Sequence, residues 1–377
     1  MSVPFASALI RYERLRRNWS MEGLCQGVCA VSYLSKIEQG KADPGPDILR
    51  ALMQRLEIRW HDGTDAAHWV EEMLEAGLSF DHARSGRLLQ ELDERREQYV
   101  NGPQMLNVLL LEKWLREECR TEVDLSAFEN CFDERQRALW MMGQNRSDEA
   151  VRLLPCAYTW LMHGSSAYCA GAYTQAIERL LHACSMAMEE GRARVLLQAK
   201  VLLGNCYSDQ QENEAMKAHY AAAMRLARDL GEEDTLETVR YNIASTDLQL
   251  QRVEQAYAYF AALKEPGAMA LHKLAICEER LGKTEQALRT IERARKVQCS
   301  YPPQELYEQM LDVVAYRLTH PDYLRRSEYG KKLLSCFDAI RRALSNGYAV
   351  FHLPWVEEWY TANRQYKQAY ELKKLFS

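Results

Sequence analysis

Proline and glycine are scarce in this sequence of 377 residues. Ten prolines and 18 glycines supply too few turn positions for an all-strand fold. Long apolar runs are also missing: no stretch approaches the roughly 20 residues that cross a bilayer. The opening MSVPFASALIRYERLRRN lacks the apolar region of a secretory leader. The 11 cysteines are scattered singles without the spacing of a disulfide framework, which fits a reducing cytoplasm. Cys25 and Cys29 would share a helix face, but two thiolates do not complete a tetrahedral zinc shell, so no metal is expected. No GxxxxGK[ST], HExxH, GxSxG or strand-linked GxGxxG occurs. The expectation is a chain that is not an enzyme, holds no cofactor and does not enter a membrane.

What is present favours helix. Hydrophobic residues make up 47% of the chain, ample for a packed core. Leu, Ala, Glu, Arg, Gln and Met, all good helix formers, dominate. The length exceeds one ordinary domain of roughly 100–200 residues. The net charge of −5 is unevenly spread. Residues 1–60 hold nine Lys/Arg against six Asp/Glu, an excess of three positive charges, which leaves −8 on the rest. A mildly basic head on an acidic body suits a head that meets a polyanion.

Within the head, apolar positions such as Leu9, Ile10, Leu24, Leu34, Ile37, Leu52 and Leu56 recur at helical spacing. They predict helices near 5–17, 21–28, 31–38, 46–56 and 58–62. Ser20 is placed to cap the second, Gly40 to end the third and Pro46 to open the fourth. Gly23 and Gly27 fall inside the expected second helix, at a cost in stability, and Cys29-Ala30 forms the turn after it. Anchors, caps and turn together resemble the phage-repressor (XRE/Cro) helix-turn-helix family over Leu9 to Ile58. Met21 departs from the family's frequent Gln. The resemblance implies that the third helix enters the DNA major groove. Val31, Ser32, Tyr33 and Lys36 would then face base edges, with Arg14, Arg16, Arg17 and Lys41 as candidates for phosphate contacts. The alternative for the arginines is a plain solvated helix face.

The body repeats an Ala-x3-large-x2-Ala pattern preceded by a small or aromatic residue. Its central positions are Ala176, Met216, Ala256 and Ala287, spaced 40, 40 and 31 residues apart. Tyr360, Tyr366 and Ala369 suggest a last copy. The pattern resembles the tetratricopeptide repeat, in which small residues let paired helices approach and large ones fill the space between pairs. Stacked repeats form a concave groove lined by the first helix of each pair. By register, Gln198, Asn205, Tyr241, Asn242, His272 and Lys273 should point inward. The resemblance implies that Asn205 and Asn242 clamp a peptide backbone, since an amide both donates and accepts. Lys273 would suit a carboxylate. The alternative is ordinary exposed polar residues.

The expected fold is all-α: a five-helix, phage-repressor-like head over residues 1–62 and a tetratricopeptide-like α-solenoid over 65–377. This layout resembles the Rgg/PlcR/PrgX (RRNPP) peptide-responsive regulators. It implies a cytoplasmic homodimer that binds double-stranded DNA at palindromic or paired half-sites and receives a short peptide. Dimer contacts would come from the array, around 348–376. Two alternatives stay open: a protein-interaction adaptor with a vestigial head, and a ligand-independent dimeric repressor.

Overall fold

The computed structural model describes residues 4–61, 64–116 and 123–375, and among them no strand forms. The protein divides into two compact units, Met1–His163 with His182–Leu196, and Gly164–Leu181 with Leu197–Ser377. The expected boundary at 62–65 instead lies inside the first unit, and residues 62 and 63 lie outside the described residues.

The first unit begins with α1 (Phe5–Arg16), α2 (Met21–Cys25), α3 (Val31–Glu38) and α4 (Pro46–Arg55). Ser20 caps α2, accepting from the Gly23 amide at 3.0 Å. Pro46 opens α4. Gly40 closes α3 at φ 67°. The second helix is shorter than the apolar spacing suggests. It ends at Cys25 because Gly27 adopts φ 74°, so Gly27 belongs to the turn and carries no helix penalty there. The fifth helix expected at 58–62 is absent over 58–61. Glu57 closes α4 at φ 57° while the Ile58 amide returns to the Met53 carbonyl at 2.9 Å. The chain then runs on until the His61 amide bonds the Asn101 carbonyl.

Five more helices complete this unit's own elements: α5 (Thr64–Leu78), α6 (His82–Val100), α7 (Met105–Leu115), α8 (Glu134–Gly143) and α9 (Ser147–Leu153), with a short 3-10 turn at Leu125–Cys131. Leu24, Leu34, Ile37 and Leu52 of the head are buried in one apolar cluster with Met73, Leu106, Phe128 and Leu139. The head therefore does not own a separate core.

The second unit is built of helix pairs. α10 (Ala157–Cys169), α11 (Tyr173–Glu189) and α12 (Ala193–Asp209) are divided between the units. α13 (Asn213–Leu230), α14 (Glu233–Gln249), α15 (Val253–Ala262), α16 (Ala268–Arg280) and α17 (Thr284–Ala294) continue the array. α18 (Gln304–Thr319), α19 (Ser327–Ala343), α20 (Asn346–Ala362) and α21 (Tyr366–Lys374) end it. The central repeat positions Ala176, Met216, Ala256 and Ala287 are all buried. Each hairpin turn also shares a backbone device. Gly171, Gln211, Gln251, Gly282 and Arg364 take positive φ, each two residues before the second helix of its pair.

Close approach within a pair is clearest at Gly204 on α12. A methyl group there would collide with the Tyr220 ring on α13. That ring is 1% exposed, and its hydroxyl donates to Asn205 Oδ1 at 2.7 Å, so it has nowhere to swing. Alanine exceeds glycine in helix propensity by about 1 kcal/mol, but overpacking a core costs about 1–3 kcal/mol. The collision wins: Gly204→Ala is expected to lose about 1–2 kcal/mol in urea denaturation. A raised midpoint would refute the close approach.

Candidate nucleic-acid interface and ligand cavity

On α3 the inner and outer faces separate cleanly. Leu34 and Ile37 are fully buried, whereas Val31, Ser32 and Lys36 are exposed. Tyr33 is half-buried, and its hydroxyl donates to the Asp43 carbonyl at 3.2 Å. Gln39, which the sequence reading passed over, is exposed at the end of this face and donates to Ser35 Oγ at 3.1 Å. Its signal was the helical stripe Ser32, Ser35/Lys36, Gln39. An amide of this kind can make two hydrogen bonds to adenine.

The basic candidates behave differently from one another. Lys41 is exposed just after Gly40. Arg14 is not available to a phosphate: its side chain is 9% exposed and forks onto both Glu38 oxygens at 2.6 and 2.8 Å. A third bond goes to the Trp19 carbonyl at 2.9 Å. Arg14 therefore leaves the phosphate-contact set, because burial and a bidentate partner consume its donors. Arg16 and Arg17 share Glu13, and Arg17 also pairs with Glu57 at 3.0 Å. They line a crevice of about 370 Å³ with Glu57, Arg96 and Leu109, on the Leu9–Glu13 side of α1.

In the second unit, a cavity of about 140 Å³ opens against α12, α14, α16 and α20. Asn205 and Asn242 both line it, and they bond each other: Asn242 Nδ2 donates to Asn205 Oδ1 at 3.0 Å. Ser208 and Thr246 repeat the link one turn further on, at 2.6 Å. The pairing leaves the Asn205 NH2 group and the Asn242 amide oxygen for a further partner. Tyr241 and Lys273 also line the cavity.

Two candidates lie elsewhere. Gln198, two turns before Asn205, is half-buried outside the lining. His272 is fully buried and stacks on His352 at 5.8 Å instead of facing a groove. The reason is α20, which covers this part of α16. Its Phe351 lies under Lys273 Nζ, 2.8 Å from the ring centre, and its Gly347 and Tyr348 form a cavity wall.

The cavity's acidic end is Asp209. Burial pushes its carboxyl up to about 6, and bonds donated by Tyr173 and Tyr168 hold it lower than burial alone would. Tyr173 Oη donates to Asp209 at 3.0 Å and accepts from Asn346 Nδ2 of α20 at 2.9 Å. At the other end, burial drives the Lys273 amine well down, with the charge of Arg280 acting the same way.

These features define an all-α protein with a helix-turn-helix head and a helical-repeat body that encloses a polar cavity. Residues 10–61 match the helix-turn-helix family. The fold is similar to the crystal structure of a Rap protein complexed with competence and sporulation factor, at TM-score 0.57 and 15% identity, over 83% of this chain and 96% of that one. PlcR of Bacillus thuringiensis, in complex with the peptide PapR7 and DNA, aligns over 89% of this chain and 95% of that one at 12% identity. Its TM-score of 0.20 is too low to support a structural comparison. No curated protein matches the chain in sequence. No helix among the described residues is long and apolar enough to cross a membrane.

Proposed function

We propose that this protein is a peptide-responsive transcriptional regulator of the RRNPP type, acting in the cytoplasm as a homodimer. Residues 1–62 would read paired DNA half-sites through α3, and residues 65–377 would bind a short peptide and dimerise. The observation that carries the reading is α3 itself: one face wholly buried, the other presenting Ser32, Lys36 and Gln39 to solvent. The Asn205–Asn242 pair, which joins adjacent repeats inside a cavity, supports the peptide half. Tyr366 and Tyr370, 62% and 67% exposed on one side of α21, support a dimer contact near the C-terminus. Peptide binding would favour one arrangement of the array and so reset the spacing of two heads.

A second reading, an adaptor with a vestigial head, draws on the arginines. Arg14, Arg16 and Arg17 all engage acidic partners within the chain, leaving Lys36 and Lys41 as the exposed cations nearest α3. Selection from random duplexes followed by a salt titration decides between the two. For a regulator, log K falls steeply with log salt, and Lys36→Ala lowers that slope by about 0.9 for each phosphate the lysine neutralises. Gln39→Ala should cost about 1–3 kcal/mol on the selected sequence alone. A shallow, variant-independent slope would favour the adaptor. Peptide sensing fails as a reading if Asn205→Ala with Asn242→Ala leaves peptide affinity unchanged.

A further inference from the structure

Lys273 is 4% exposed, lines the cavity and, among the described residues, enters no ion pair. Its surroundings offer no anion to spare. Glu279, on the same helix, is taken by Arg317 at 2.6 Å. Asp209, in the cavity wall, is bonded by Tyr173. The other charge acting on Lys273 from α16 is Arg280, of like sign. Phe351 gives the ammonium an aromatic face, which attracts a cation but does not neutralise it. A buried cation is costly unless paired, and methionine would fill this position against Phe351 without that cost. Packing therefore does not account for a lysine here.

Repeat register adds a second, independent observation. Lys273 stands two residues before Ala275, as Asn242 stands two before Ala244, and the repeats carrying them differ by the same 31 residues as Ala256 and Ala287. Successive first helices thus present amide, amide and cation to one cavity: Asn205, Asn242 and Lys273.

We propose that Lys273 is a carboxylate-binding end of the ligand cavity, so that the ligand carries an anionic group, a chain terminus or an acidic side chain, next to a segment read by the two asparagines. This rests on the peptide reading above and narrows it to peptides with a carboxylate in reach of α16. Charge-assisted bonding from a desolvated ammonium would make such a ligand bind tighter than its neutral twin.

The test uses the full chain and three probes in calorimetric titrations: N-acetyl-trialanine with a free carboxylate, its C-terminal amide, and N-acetyl-Ala-Asp-Ala amide. Wild type should bind the free acid at least about tenfold tighter than the amide. Lys273→Met should lose that preference and keep the affinity for the amide. Tight binding of the aspartyl amide would assign the group to a side chain, and weak binding would assign it to the terminus. Equal binding of acid and amide by wild type, or a preference that survives Lys273→Met, overturns the proposal and leaves the peptide reading standing. If no peptide binds, the peptide reading falls, and sodium acetate against sodium chloride at equal ionic strength decides the subsite. A rise in Tm specific to acetate and lost in Lys273→Met upholds it; no such rise overturns it. Lys273→Gln replaces the methionine variant if that one does not fold.

Discussion

Replacing Arg14 with methionine is expected to destabilise the first unit by about 3–5 kcal/mol. The guanidinium joins α1 to the end of α3 through two bonds to Glu38, with side-chain exposures of 9% and 3%. Glu38 sits in the last turn of α3, where a negative charge opposes the helix dipole. Without Arg14 that carboxylate would be buried, unpaired and on the wrong end of its helix. Breaking one half of a buried pair costs far more than removing both, so Arg14→Met with Glu38→Met should recover most of the loss. Urea denaturation of the single and double variants measures the difference. A phosphate-contact role predicts the opposite pattern: unchanged stability and a DNA-binding salt slope lower by about 0.9 per phosphate. A stable Arg14→Met protein with a reduced slope would return Arg14 to the interface.

The contrast between Arg14 and α3 shows what the sequence carried. Helix caps are local, so Ser20, Gly40 and Pro46 mark their boundaries within a few residues, and α3 follows its expected span of 31–38. The apolar pattern overshot at α2 because Val28 keeps helical spacing after the backbone has left the helix at Gly27. Arg14 reads as one more charge in RYERLRR, since its partner lies 24 residues away and no local signal marks it. In the repeats, the same long-range limit separates Asn205 and Asn242 from His272. Register brings the two asparagines to one cavity because both stand on neighbouring first helices. It also turned His272 inward, correctly as a direction, but the space it faces is occupied by His352 of α20, 80 residues further along. A repeat pattern describes how neighbours stack; it does not say that a later helix fills the concavity.

That filling makes the second unit acid-sensitive in a way that isolates one residue. His272 is fully buried with neither ring nitrogen hydrogen-bonded, and His352 bonds the Tyr348 carbonyl through Nδ1 while its Nε2 has no partner. Burial pushes His352 down to about 3 and His272 well below its ordinary value, each ring also feeling its basic neighbours. Both folded-state values lie below the unfolded one near 6.5, so the unfolded chain binds more protons than the native one. The stability they permit is present above that value and is lost as pH falls through it. At pH 5 each buried histidine costs about 2 kcal/mol relative to pH 7.5. Asp209 acts in the other sense. Its carboxyl is raised to about 6, so the cost of its buried charge lessens as pH falls below that, returning about 1 kcal/mol by pH 5. The net change in the wild type therefore mixes opposing contributions, and a variant resolves them. His272→Leu removes a titrating ring that makes no hydrogen bond, so it should fold normally at pH 7.5. The gap in unfolding free energy between pH 7.5 and pH 5 should shrink by about 2 kcal/mol in this variant, as read from urea denaturation at the two pH values. An unchanged gap would mean that His272 is already charged or solvated in the native protein, and that α20 does not seal this part of α16.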